Sequence, residues 1–185
     1  MMTSIYRVFL ATALASFASI SLTAHAKGAK WQTPAIPYGP IHPLPRAAVQ
    51  PNRNRVYKAL FDVTTKIANP SQPAPGLVHV ARAVNVFVSA GVPLKHLKFE
   101  VIIHGPTTAA VLNNESYKRK FGVNNPNILL IQDLKKAGVH VDVCGQALAD
   151  LKFPHSWVQK DVRIDLSALA TVVMYGDMGY AYMAQ

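Results

Sequence analysis

Apolar and polar positions along this chain fall into blocks that switch between strand-like and helix-like spacing. Lys58 to Lys66 (KALFDVTTK) is rich in apolar and β-branched residues and stops before the breaker run Asn69-Pro70 to Pro75, which predicts a first strand. Leu77, Val80, Ala81, Val84, Phe87 and Val88 then recur at helical spacing within Gly76 to Ala90, and Gly91 ends the stripe. Leu97 to Ile103 (LKFEVII) predicts a second strand, cut off by His104-Gly105-Pro106-Thr107. A short helix is expected from Thr107 or Thr108, then a mixed polar segment through Phe121. Asn125-Pro126 reads as a helix entry, with Asn as cap and Pro at the first helical position. Ile128, Ile131, Leu134 and Ala137 form its inward stripe, and Gly138 stops it. Val139 to Val143 is the third predicted strand, and Cys144-Gly145 hands over to a helix starting near Gln146. Val162 to Leu166 predicts a fourth strand and Ser167 to Met174 a helix, with Gly176 and Gly179 as breaks. Tyr180 to Met183 is the candidate last strand.

Strand and helix alternate throughout, and the separations leave room for helical crossovers. The expected fold class is therefore α/β: a single three-layer domain with a central, mostly parallel sheet, helices on both faces, and a flavodoxin- or Rossmann-like arrangement.

The N-terminal third does not share this rhythm. Residues 1–26 have the layout of a signal peptide: Arg7, an apolar run from Val8 to Leu22, and Ala24-His25-Ala26 as a small-x-small cleavage site. The run is short for a bilayer span of about 20 residues. Removing those 26 of the 185 residues leaves 159, enough for one core that hides roughly 68–70% of its unfolded surface. Residues 27–56 carry Pro34, Pro37, Pro40, Pro43, Pro45 and Pro51, which predicts an extended, irregular segment. Its aromatics, Trp31 and Tyr38, either pack on the domain or a neighbouring subunit, or belong to a mobile linker. Residues 57–185 then form the α/β domain. The expected product is a periplasmic or secreted protein without a membrane span once the signal is cleaved.

Composition narrows the function classes. Hydrophobic residues make up 50% of the chain and charged ones only 15%, which excludes a disordered protein or a coiled coil. A net charge of +10 favours anionic partners or surfaces, but nucleic acid is not expected for an exported chain. With one cysteine, neither an internal disulfide nor a zinc site built on several thiolates can form. No Gly-rich nucleotide fingerprint is present, so no cofactor is expected.

In an open parallel sheet, sites form where strands end at the carboxyl edge. Two reactive side chains occupy such places, His104 after strand two and Cys144 after strand three. Amides at the start of the following helix favour thiolate over thiol. Gly145 removes a side chain where a ligand would approach the sulfur. The alternative is an inert, buried thiol acting as an apolar filler. His140, Asp142 and Cys144 alternate with Val139, Val141 and Val143, placing polar groups on one face of a strand that should be apolar on both. That face is either thinly covered by helix, or meets a subunit or a ligand. A metal shared by His140 and Cys144 is not expected, because four residues of strand span roughly 13 Å. His104 approaches Cys144 if strands two and three are neighbours, as base or hydrogen-bond donor; otherwise it is structural. Lys118-Arg119-Lys120 and Lys135-Lys136 read as solvated faces, and His155 and Trp157 in FPHSW as a pocket rim or a loop pin.

The run VHVDVCGQALADLKF (139–153), with NPNILLIQDLKKAG (125–138) before it, resembles the cysteine region of the DsrE/DsrF/TusD-like sulfur-relay proteins. FEVIIHGPTTAAVLNN (99–114) is similar to the second strand and following loop of exported DsrE-like proteins. The resemblance spans roughly residues 57–183. It implies a compact α/β domain, commonly a homo-oligomer, in which the matching Cys144 carries sulfur as a persulfide. His104 is the candidate for proton handling, and Gly105, Gly145 and Gln146 are candidates to contact substrate. The donor and acceptor of sulfur stay open, since the characterised relay proteins are cytosolic and the proline-rich extension lies outside the similarity. So do two other readings, a non-catalytic oligomer or ligand-binding module with a structural cysteine, and a redox sensor forming an intersubunit disulfide.

Overall fold

The computed structural model describes residues 30–185. The signal sequence expected in residues 1–26 lies outside the described residues. Five parallel strands make the sheet: β1 (Tyr57–Val63), β2 (Leu97–Ile103), β3 (His140–Cys144), β4 (Arg163–Asp165) and β5 (Ala181–Ala184). Their order is β4-β3-β2-β1-β5. Helices α1 (Pro75–Ser89), α2 (Asn114–Phe121), α3 (Asn127–Lys136), α4 (Gly145–Asp150) and α5 (Ala168–Asp177) fill the crossovers.

Side-chain alternation divides the sheet into two unlike faces. Phe61 and Val63 of β1, Phe99, Val101 and Ile103 of β2, and Val141 and Val143 of β3 point to the first face. There they pack with Leu77, Val80 and Val84 of α1 and Leu130, Ile131 and Leu134 of α3 in the main core. The second face has a much smaller cluster, Leu60, Ile102, Cys144 and Ala168, under α5. Topology accounts for the asymmetry. The chain steps from β1 to β4 in one direction, with α1 and α3 on the first face. It then crosses back to β5 on the far side of β1, and a crossover of the same hand travelling the other way places α5 on the opposite face.

The expected elements recur with shifted ends. β2 has the expected bounds, whereas β3 runs one residue later, through Cys144. Two expectations are corrected. The mixed polar segment before Phe121 contains α2, which buries only Ser116 and Tyr117 and so shows almost no apolar stripe. Its helical signals are local ones. Asn113 Oδ1 accepts the Ser116 N–H at 2.9 Å, Glu115 pairs with Arg119 one turn on, and Gly122 closes the helix at φ 77°. The second correction is Gly176, which lies inside α5 rather than ending a helix there.

The N-cap of α3 is Pro126, one residue later than expected, and the turn is braced from just outside it by Asn125. The Asn125 Oδ1 accepts the Asn127 N–H, while its Nδ2 donates to the carbonyls of Ala110 and Leu112, tying α3 to the turn before α2.

The proline-rich segment is not a free linker. Ile36 and Ile41 are buried against the domain, and the chain folds back on itself through paired hydrogen bonds between Gln32 and Ile41. Asn85, fully buried in the middle of α1, holds it. Asn85 Oδ1 accepts the N–H groups of Ala35 and Ile36, both at 3.0 Å, and its Nδ2 donates to the carbonyls of Ile36, Tyr38 and Gly39. Apart from the Gln32–Ile41 bridge this proline-punctuated chain has little ladder of its own, and Asn85 supplies partners for the turn between them.

Candidate functional site at the carboxyl edge of the sheet

The loops leaving β1 and β2 turn towards the first face, so the carboxyl edge of the second face is left to α4 and α5. Between them opens a cleft of about 630 Å³. His104, Gly105, Cys144 and Gln146 all line it, so four of the five residues expected from the sequence converge.

Cys144 ends β3 on the second face. It is 5% exposed and packs with Leu60, Ile102 and Ala168 at the base of the cleft. The Ala147 N–H, in the first turn of α4, donates to Sγ at 3.4 Å. α4 has only six residues, so that local amide, rather than a long helix, is the favourable contact for charge on sulfur.

β2 and β3 are neighbours, with Ile103 opposite Val143, so His104 and Cys144 leave adjacent strands at one level. The imidazole, however, turns towards β1. His104 Nε2 meets Asp62 Oδ1 at 2.7 Å, and the Tyr182 hydroxyl donates to Asp62 Oδ2 at 2.6 Å. With Nε2 engaged by the carboxylate, Nδ1 is the nitrogen left for other partners. Accepting from the tyrosine stabilises its neutral form, and Asp62 thereby pushes the Tyr182 hydroxyl above its ordinary value, with burial adding to the shift. Asp62 and Tyr182 are functional candidates missed by sequence reasoning. The alternation used for β3 would have found the first, because Asp62 shares a face with Leu60 in a central strand.

Gly145 is the expected residue that does not join them. A side chain there would not meet the cleft; its Cβ would sit 2.8 Å from the Asp165 carbonyl and 3.4 Å from that of Leu166. The glycine lets the end of β4 press against α4. Gly145→Ala should therefore destabilise the fold by about 2 kcal/mol, read as a lower urea midpoint.

The polar face of β3 has an internal explanation. Arg163 Nε and Nη2 donate to the two oxygens of Asp142 at 2.6 and 2.7 Å, and Nη2 reaches Glu100 Oε2 at 3.1 Å. His140 Nδ1 lies 3.0 Å from the other Glu100 oxygen. Burial pushes the Asp142 carboxyl above its usual range while Arg163 pulls it back. Burial, with the charges of Glu100 and Asp142, pushes the nearby Tyr175 hydroxyl up to about 12. Among the described residues, no group of three or more His, Cys, Asp or Glu side chains is placed to hold a metal ion. Nor is any helix there long and apolar enough to cross a membrane. Trp157 lies away from the cleft, pinned between Phe153 and the Arg119 guanidinium.

The model of the DsrE/DsrF-like family matches residues 58–184. The chain belongs to the DsrE/DsrF-like family. That match runs from the second residue of β1 to the end of β5 and takes in every residue of the cleft, in a family associated with sulfur relay. Among solved structures, the DsrE/DsrF-like chain is similar to a protein of unknown function, MTH1491 from Methanobacterium thermoautotrophicum. Identity is 15%, the alignment covers 70% of this chain and 99% of that one, and the TM-score is 0.48. No curated protein matches the sequence.

Proposed function

We propose that this protein takes up a sulfane sulfur on Cys144, holds it as Cys–S–SH in the cleft, and passes it to an acceptor thiol. The observation that carries this reading is Cys144 falling at the carboxyl end of β3 inside a cleft, rather than in the main core, in a chain of the DsrE/DsrF-like family. The thiolate attacks the donor's outer sulfur, and the donor's remaining sulfur leaves with the electron pair. The Ala147 amide is placed to stabilise charge on the cysteine sulfur, and His104, oriented by Asp62, is placed to move a proton at the cleft mouth. We further propose export to the periplasm or beyond, on the pattern of residues 1–26, and a homo-oligomer. Exposed Leu166, Met174 and Met178, beside α5, support a subunit contact.

Mass spectrometry after exposure to inorganic polysulfide, followed by alkylation, tests the carrier role. Cys144 should gain one sulfur that a reductant removes, and Cys144→Ser protein should gain none. Equal gain by the variant would end this reading. One observation favours a second reading, in which the thiol only packs: Cys144 is 5% exposed and contacts three apolar residues. Alkylation rate separates the two. A carrier cysteine labels within minutes near neutral pH, whereas a filler labels only as fast as the protein unfolds.

A further inference from the structure

The lining of the cleft identifies the class of donor, an inference that rests on the carrier reading above. The chain holds 19 Lys and Arg residues, yet among the described residues none lines this cleft. Besides Cys144, its ionisable lining groups are Asp62, Asp150, His104 and Tyr182. Asp62 already engages both His104 and Tyr182, which leaves Asp150, exposed at the end of α4, as an uncompensated negative charge at the rim. The walls are aliphatic: Leu151 just after α4, and Leu169, Val172 and Val173 from α5. A small dianion such as thiosulfate would shed water here and meet the charge of Asp150 with no lysine or arginine in return. An uncharged apolar group would replace water on the aliphatic walls, and the space suits a molecule far larger than an inorganic oxyanion.

We infer that the donor is an organic persulfide, R–S–SH, whose R group is apolar and uncharged. Cys144–S⁻ forms a bond to the outer sulfur, the S–S bond of the donor breaks, and R–S⁻ leaves with its electron pair. The products are Cys144–S–SH and R–S⁻, so charge and hydrogen balance and no external oxidant is consumed. The R group rests against Leu169, Val172 and Val173 while the outer sulfur points to Sγ.

The test compares benzyl persulfide with thiosulfate by the rate of sulfur gain at Cys144, each divided by the rate for N-acetylcysteine in the same buffer. The normalised rate should favour benzyl persulfide by about tenfold or more. Asp150→Lys, an exposed change, should raise the thiosulfate rate about threefold relative to the benzyl rate. A chemistry-free arm measures calorimetric binding of benzyl methyl sulfide to Cys144→Ser protein, which should bind and should lose the ligand on Val173→Asp. A normalised rate equal to or higher with thiosulfate overturns the donor class and leaves the carrier reading standing. Failure of benzyl methyl sulfide to bind overturns the donor class whatever the thiol does. No sulfur gain from either donor overturns the donor class, and no gain from inorganic polysulfide as well overturns the carrier reading with it.

Discussion

Arg163→Met is expected to lower stability by about 2–3 kcal/mol at pH 7 and to make the protein more stable in mild acid than at neutrality. The side chain is half exposed, but the carboxylates it serves, Glu100 and Asp142, are buried. Removing the one guanidinium that touches both leaves two neighbouring negative charges under α5. Breaking a buried pair in this way costs about 3–5 kcal/mol, reduced here because water reaches the arginine. Asp142 already has its carboxyl raised by burial, with Arg163 opposing the rise. Without that opposition its folded-state value climbs further above the unfolded value of about 3.9. The native state then binds more protons than the unfolded state across the interval between the two values, so stability increases as pH falls through it. Urea unfolding at pH 7 and pH 5 reads both effects. A variant with unchanged stability, or one that weakens further at pH 5, would show that the network is not what holds this face together. Adding Asp142→Asn should recover part of the loss at pH 7, because it removes one of the stranded charges.

Asn85→Ala should cost about 3 kcal/mol and detach the proline-rich segment while leaving the sheet intact. The substitution suits the interior of α1, since alanine is the better helix former. Its effect falls on the partners. The N–H groups of Ala35 and Ile36 and the carbonyls of Ile36, Tyr38 and Gly39 lose the side chain that satisfies them. Each buried group left unpaired costs about 1–3 kcal/mol, and release to water limits the total. Ile36 and Ile41 would then leave the core with the segment. Limited proteolysis checks the outcome directly. Cleavage between residues 30 and 56 should accelerate strongly in the variant, with the fragment from Tyr57 onward resistant. Uniform proteolysis of the whole chain would mean that the segment and the domain unfold as one unit.

Much of the architecture was legible because strands and helices here are marked by local signals. Breakers bracket β1, and LKFEVII reads as a buried strand from end to end. The rule that sites gather at strand ends also singles out His104 and Cys144, and both line the cleft. What stayed hidden depends on partners distant in sequence. α2 is polar on nearly every side, so its capping residues carried the information that its hydropathy did not. Gly145 suggests room for a ligand beside the sulfur, yet that room is taken by the backbone at the end of β4, whose approach no local pattern encodes. The choice between linker and docked segment turned on Asn85, an unremarked polar residue within an apolar helix. Tyr182 reaches Asp62 only because β5 pairs with β1, a neighbour relation that the order of elements along the chain does not reveal.

That last pairing has a temporal consequence. Asp62 and Tyr182 stand 120 positions apart, so one wall of the thiol's surroundings cannot exist until nearly the last strand is in place. A nascent or refolding chain with β1 to β4 assembled presents a bare sulfur to whatever oxidant is nearby. Maturation of this protein therefore includes an interval in which its reactive atom is most vulnerable just before it becomes sheltered.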